Sequence, residues 1–243
     1  MPSPELEPLP EDWDRALAVV AHPDDLEYGA ASAVARWTSQ GKEVAYLLAT
    51  AGEAGIDGML PVEAGPLRME EERRGARVVG VTTVEFLDHR DGVVEYGLDL
   101  RRDVARATRR VRPDVLIAMN YAERWGFGAL NQADHRAVGL AAIDGVRDAG
   151  NRWVFPELLD EGLEPWSGTK WAFVGAAPDC RHAVDVTDTF ERGVDSLREH
   201  AAYLEGLGAN AMGDPAAFLH GHATETGARM GVPLAVAFEL IEL

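Results

Sequence analysis

The run His22-Pro23-Asp24-Asp25-Leu26-Glu27 sets one imidazole beside three carboxylates, directly after a short apolar stretch. Histidine clustered with carboxylate suits a divalent metal. Imidazole favours zinc and similar ions, and a His-plus-carboxylate set with open positions marks a catalytic site. His22 and Asp25 are three residues apart, so on a tight turn or a first helical turn they face the same way. Asp24 and Glu27 then point elsewhere, and one of them is free to act as a base. A third ligand has to come from far along the chain, and His135 is the best placed. The turn carries neither Gly-x-Gly-x-x-Gly nor a P-loop pattern. Its anions would repel a phosphate, so it does not read as a nucleotide site.

Plainer roles exist for each residue. His22 could be a turn residue bonded to backbone, Asp24 a helix N-cap, and His135 the start of a helix capped by Asp134. The clustering of His22 with Asp24 and Asp25 favours the ligand reading, and without His135 the site lacks a third ligand.

Such groups must be held by rigid elements. Residues 17–21, 44–50, 84–87 and 115–119 are short apolar runs and read as buried strands. Residues 29–40, 67–79, 100–111 and 134–149 read as helices, and 51–66 as a long Gly- and Pro-containing loop. Strand and helix in alternation, with strands buried on both faces, predict an α/β fold. Its mostly parallel sheet is covered by helices on each side. Beyond residue 150 the spacing predicts strands at 171–175, 183–186 and 234–241 and a helix at 190–207. Residues 206–231 are left without an assigned element.

In an open parallel sheet the ligand sits beyond the carboxyl ends of the strands. The residues there are His22 to Glu27, then Gly52-Glu53-Ala54-Gly55, then Asp88-His89-Arg90-Asp91-Gly92. The fourth strand leads through an aromatic, Gly-containing loop to Asp134-His135. All four ends carry carboxylates and should converge on one crevice.

The length of 243 residues suits a single domain spanning the chain, with the Pro- and Glu-rich residues 1–14 as a flexible or draped leader. With 41 acidic against 23 basic residues, the formal charge of −18 argues against nucleic acid or an anionic membrane as partner. No apolar run is long enough to span a bilayer. The lone Cys180 rules out an intrachain disulfide and reads as an ordinary thiol. A cytoplasmic enzyme is the expectation, and a homo-oligomer stays open. Only Lys42 and Lys170 are lysines, a bias that fits a bacterium of high GC content.

Several motifs together carry a family resemblance. Ala21-His22-Pro23-Asp24-Asp25-Leu26-Glu27 resembles the AHPDDxE signature of the LmbE-like, or PIG-L, N-acetylglucosaminyl deacetylases. Thr50 to Gly55 resembles the family's T-x-G-E-x-G segment, and Arg68 with Glu71 or Glu72 its R-x-x-E helix. Phe86-Leu87 to Asp91-Gly92, Arg112-Pro113-Asp114 and Asp134 to Gly139 resemble three further motifs in the family's order. The match is best over residues 17–140. It implies a Rossmann-like three-layer sandwich and a zinc-dependent hydrolase that removes an acyl group from an N-acylated amino sugar or glycoconjugate. It further implies His22, Asp25 and His135 as metal ligands and Asp24 as general base.

One departure stands at Gln132-Ala133-Asp134-His135, where relatives carry H-P-D-H. Gln132 can donate a hydrogen bond to an oxyanion but cannot carry charge. The other is Gly29-Ala30-Ala31 in place of paired glycines. Arg68, Glu53, Asp91 and Trp125 are candidate substrate contacts, with Glu53 and Asp91 divided between that role and turn structure. Tyr121, Trp125 and Phe127 read either as core or as a lid that stacks on sugar or acyl surface. His200 loosely matches a family helix, His89 reads as a surface or supporting group, and His182, His220 and His222 as structural or exposed. In a bacterium of high GC content, natural-product tailoring or low-molecular-weight thiol metabolism is the setting the resemblance implies. Two other functions stay open: an amidase on a different acyl or thiol conjugate, and a non-catalytic sugar- or metal-binding protein, which Gln132 alone favours.

Overall fold

The computed structural model describes residues 5–208 and 211–243. Of the two readings of the leader, residues 5–14 take the draped one and lie against the body. Leu6, Leu9 and Trp13 are buried, and Glu7–Pro8 forms a short strand, β1. Glu11 accepts hydrogen bonds from Arg36 and Trp37. The Pro- and Glu-rich composition concealed three apolar anchors.

The other strands are β2 (Arg15–Val20), β3 (Glu43–Leu48), β4 (Thr83–Phe86), β5 (Val115–Met119), β6 (Trp171–Gly175), β7 (His182–Asp185) and β8 (Ala235–Glu242). They form one sheet in the order β1-β7-β8-β6-β5-β2-β3-β4. Neighbours run parallel except where β8 lies antiparallel between β6 and β7.

Alternate residues of a strand face opposite sides, and here both sides are apolar. Ala16, Ala18 and Val20 join one core, while Leu17, Val19 and Ala21 join the other. The first core is closed by α1 (Asp25–Gly29), α2 (Ala31–Ser39), α3 (Pro61–Val78), α7 (Phe190–Arg198) and α9 (Pro215–Met230). The second is closed by α4 (Leu98–Val111) and α5 (Ala133–Ala149), and the short α6 (Glu157–Asp160) packs Leu158 against Ala105 and Ala149. The result is the expected three-layer sandwich.

Some boundaries differ from expectation. The loop expected over 51–66 ends at Pro61, which starts α3 and needs no N–H partner there. The helix expected at 190–207 is two, α7 and α8 (Ala201–Leu207), parted at Glu199 and His200. Residues 206–231 hold α9, capped by Asp214, whose Oδ1 accepts the Ala217 N–H at 3.2 Å. From β2 the chain moves outward to β3 and β4, then returns to place β5 on the other side of β2. A crevice opens at such a reversal.

Candidate metal centre and its supports

The chain turns sharply as it leaves β2. Asp25 holds that turn, its Oδ2 accepting the N–H groups of Ala21 at 3.0 Å and His22 at 2.9 Å. His22 and Asp25 are thereby kept side by side at the start of α1. The first turn of α5 delivers His135, whose Nε2 lies 3.0 Å from Asp25 Oδ1. His22, Asp25 and His135 are buried, with donor atoms within 4.8 Å of one another.

Both imidazoles are oriented from behind. His22 Nε2 faces Asp91 Oδ1 at 3.1 Å and Asp134 Oδ2 at 3.4 Å. His135 Nδ1 faces Asn131 Oδ1 at 3.0 Å. These oxygens only accept, so the facing nitrogens carry the protons. The lone pairs of His22 Nδ1 and His135 Nε2 are left on the side of Asp25. The approach of His135 Nε2 to Asp25 is not a hydrogen bond, and this buried nitrogen has no hydrogen-bond partner. Two imidazole nitrogens and a carboxylate, one nitrogen unpartnered, fit a zinc-like ion. Burial opposes the charged form of His22, but Asp134, Asp25 and Asp91 outweigh it and lift its pKa well above the usual range. Burial likewise opposes the Asp25 carboxylate, yet His135 and His22 hold its pKa well below the ordinary value.

Asp24, the neighbour of Asp25 in sequence, is held by a different set of contacts. Its backbone is left-handed, with φ of 94°. Arg68 on α3 donates through Nη2 to Asp24 Oδ2 at 2.9 Å and to Pro23 O at 2.6 Å, and through Nη1 to Gly52 O at 2.8 Å. Gly52 and Gly55 make room for this guanidinium, since a Cβ on either would fall 2.4 Å and 2.2 Å from Nη1. Tyr203 covers it, 4.5 Å from ring centroid to guanidinium carbon. Arg68, expected at the substrate, is thus only 2% exposed and is committed to Asp24 and its neighbours. Burial raises the Asp24 pKa and Arg68 pulls it back, leaving it at about 6.

The other expected residues fall into two groups. Asp91 is turned onto His22, and its Oδ2 accepts the Ala54 N–H at 2.8 Å. Glu53 Oε1 accepts the Asp91 N–H at 2.9 Å, so Glu53 braces the loop that carries Asp91. Trp125 is half-buried, edge-on to His135 at 5.7 Å and stacked with Phe127, which is 78% exposed. An aromatic strip therefore runs from His135 to solvent. Gln132 is exposed at the start of α5, its N–H bonded to Asn131 Oδ1 at 2.9 Å.

His89 pairs with Asp103, and Cys180 donates to Ala177 O. Sequence reasoning missed Asn131 and Asp134 as supports. Asp134 adjoins His135 in sequence, and Asn131 lies one helical turn before His135, the spacing that could have found it.

The PIG-L family model, described as GlcNAc-PI de-N-acetylase, matches residues 17–146. The chain is 29% identical over 191 residues to a diacetylchitobiose deacetylase of Thermococcus kodakarensis, spanning 78% of this chain and 70% of that one. It is 30% identical over 196 residues to a 1D-myo-inositol 2-acetamido-2-deoxy-alpha-D-glucopyranoside deacetylase of Kineococcus radiotolerans. That match spans 64% of this chain and half the length of that relative. It superposes on the N,N'-diacetylchitobiose deacetylase of Pyrococcus horikoshii with a TM-score of 0.86 and 25% identity, over 95% of this chain and 85% of the other.

Proposed function

The chain belongs to the PIG-L family, and from that premise we propose that it is a zinc-dependent N-deacetylase of a small molecule bearing an N-acylated amino sugar. The observation that carries this reading is the convergence of His22 Nδ1, His135 Nε2 and the Asp25 carboxylate beside a separately held Asp24. His22, Asp25 and His135 would hold the ion. When bound, a zinc ion acidifies water and polarises an amide carbonyl. Asp24 takes the proton from the attacking water on its carboxylate and returns it to the leaving amine. Arg68 keeps that carboxylate aimed. Gln132 donates a side-chain N–H toward the developing oxyanion. Trp125 and Phe127 offer a flat apolar face to sugar or acyl surface. The names of the matched deacetylases, all acting on acetylated amino sugars, support this substrate class. Among the described residues no helix is long and apolar enough to cross a membrane, which accords with the cytoplasmic location we propose.

The test is metal content of the purified, unchelated protein beside His135→Ala and Asp24→Asn, with acetate release from N-acetyl amino sugars. We expect one ion per chain in the wild type and in Asp24→Asn, loss of the ion in His135→Ala, and no turnover in either variant. No bound metal after zinc is offered would overturn the hydrolase reading. Full activity of Asp24→Asn would overturn the base.

A further inference from the structure

Behind Asp24 lies a group of ionisable side chains that the chemistry above does not use. Glu27 comes from α1, Glu72 from α3, and His200 from the break between α7 and α8, in the part of the chain beyond the family match. They are 2%, 0% and 0% exposed. His200 Nε2 lies 3.7 Å from Glu27 Oε2 and 3.7 Å from Glu72 Oε2. Ser196 Oγ donates to Glu27 Oε1 at 3.1 Å. Both His200 nitrogens, Glu27 Oε2, Glu72 Oε1 and the nearby Tyr46 hydroxyl are buried without a hydrogen-bond partner. Charges withdrawn from water in this way are costly. A neutral apolar filling would stabilise the fold as well, so the cluster calls for a reason beyond packing.

One hydrogen bond leads out of it. The Asp24 N–H donates to Glu72 Oε2 at 3.1 Å. Asp24 sits at φ 94°, ψ −20°, a conformation that a residue with a Cβ keeps only when its surroundings over-determine it. Arg68 holds the Pro23 carbonyl and the Asp24 carboxylate from one side, and Glu72 holds the Asp24 N–H from the other. His200 Nε2 stands 3.7 Å from an oxygen of each glutamate and packs between them, which keeps the Glu72 oxygen where the N–H needs it. We infer that Glu72, supported by His200 and Glu27, is a positioning residue that locks Asp24 in its left-handed conformation. This rests on the assignment of Asp24 as base.

The test separates kcat from KM in metal-loaded protein. Glu72→Ala is expected to lower kcat roughly ten- to a hundredfold, the scale for a misplaced catalytic group. KM and metal content should stay near wild type. Glu72→Gln keeps an acceptor oxygen for the Asp24 N–H and should restore most of the loss. His200→Gln leaves Asp24 and Glu72 in place and should give a smaller fall in kcat, which keeps the test open if Glu72→Ala does not fold. Wild-type kcat in Glu72→Ala, with Asp24→Asn inactive, would overturn the positioning role alone. An active Asp24→Asn would instead overturn the base beneath it. A second equivalent of zinc, lost in His200→Gln, would overturn the inference by making the cluster a metal site.

Discussion

Asp134 and His22 stand 112 positions apart, and the fold brings Asp134 Oδ2 to 3.4 Å from His22 Nε2. The same carboxylate accepts the N–H groups of Gly92 at 2.7 Å and Val94 at 3.1 Å. It therefore ties the loop after β4 to α5 while turning the His22 ring. Supports of this kind set the tautomer and basicity of a ligating imidazole. Asp134→Asn is expected to weaken metal binding about ten- to a hundredfold, read by competition with a chelator. Unchanged affinity would show that Asp91 alone orients the ring.

The guanidinium of Arg68 occupies the space above two glycines, so a methyl group there tests its placement. Gly55 is exposed and does not have a positive φ, and a Cβ on it would meet Arg68 Nη1 at 2.2 Å. Gly55→Ala should displace Arg68 from Asp24 and lower kcat roughly tenfold or more. The melting temperature should shift little. Equal kcat in both proteins would mean that Arg68 can move without disturbing the base.

Gln132 stands where the family motif carries a histidine. An imidazole can supply a charged donor to an oxyanion, which an amide cannot. Gln132→His should raise kcat several-fold with little change in KM, measured by acetate release on the best N-acetyl amino sugar. No gain would assign oxyanion stabilisation to another group.

Stability should fall on the alkaline side. Burial opposes the charged form of His200, but its pair with Glu27 and the charges of Glu27, Glu72 and Asp24 outweigh that, raising its pKa from 6.5 to about 9. A histidine whose folded pKa exceeds its unfolded value contributes stability that is complete below the unfolded pKa and is lost as pH rises through the folded one. Glu72, pushed well above the carboxylate range by burial and then by Glu27, acts in the same direction. The melting temperature of the metal-loaded protein should drop by several degrees from near pH 6.5 to just above 9. The drop should be smaller in His200→Gln. A flat profile would mean that His200 stays neutral in the folded protein.

Much of the site was legible in the sequence because it is written locally. Each proposed ligand follows a strand or opens a helix, and the apolar runs that define those strands are short and unbroken. The His22 and Asp25 spacing placed both on one turn, and the family motifs named His135 and Asp24. The parallel sheet followed from runs apolar on both faces. The supports were not legible in this way. Arg68 was expected at the substrate, and Asp91 and Glu53 stood divided between substrate contact and turn structure; only packing shows that each is turned onto a neighbour. The choice between a flexible and a draped leader, and the antiparallel insertion of β8, were equally hidden, since both depend on partners distant in sequence. Residue type and spacing determined which groups could ligate or take a proton. Which lone pair faces the metal centre, and what holds Asp24, was decided by contacts between elements far apart in the chain, because side-chain orientation is set by what packs behind it.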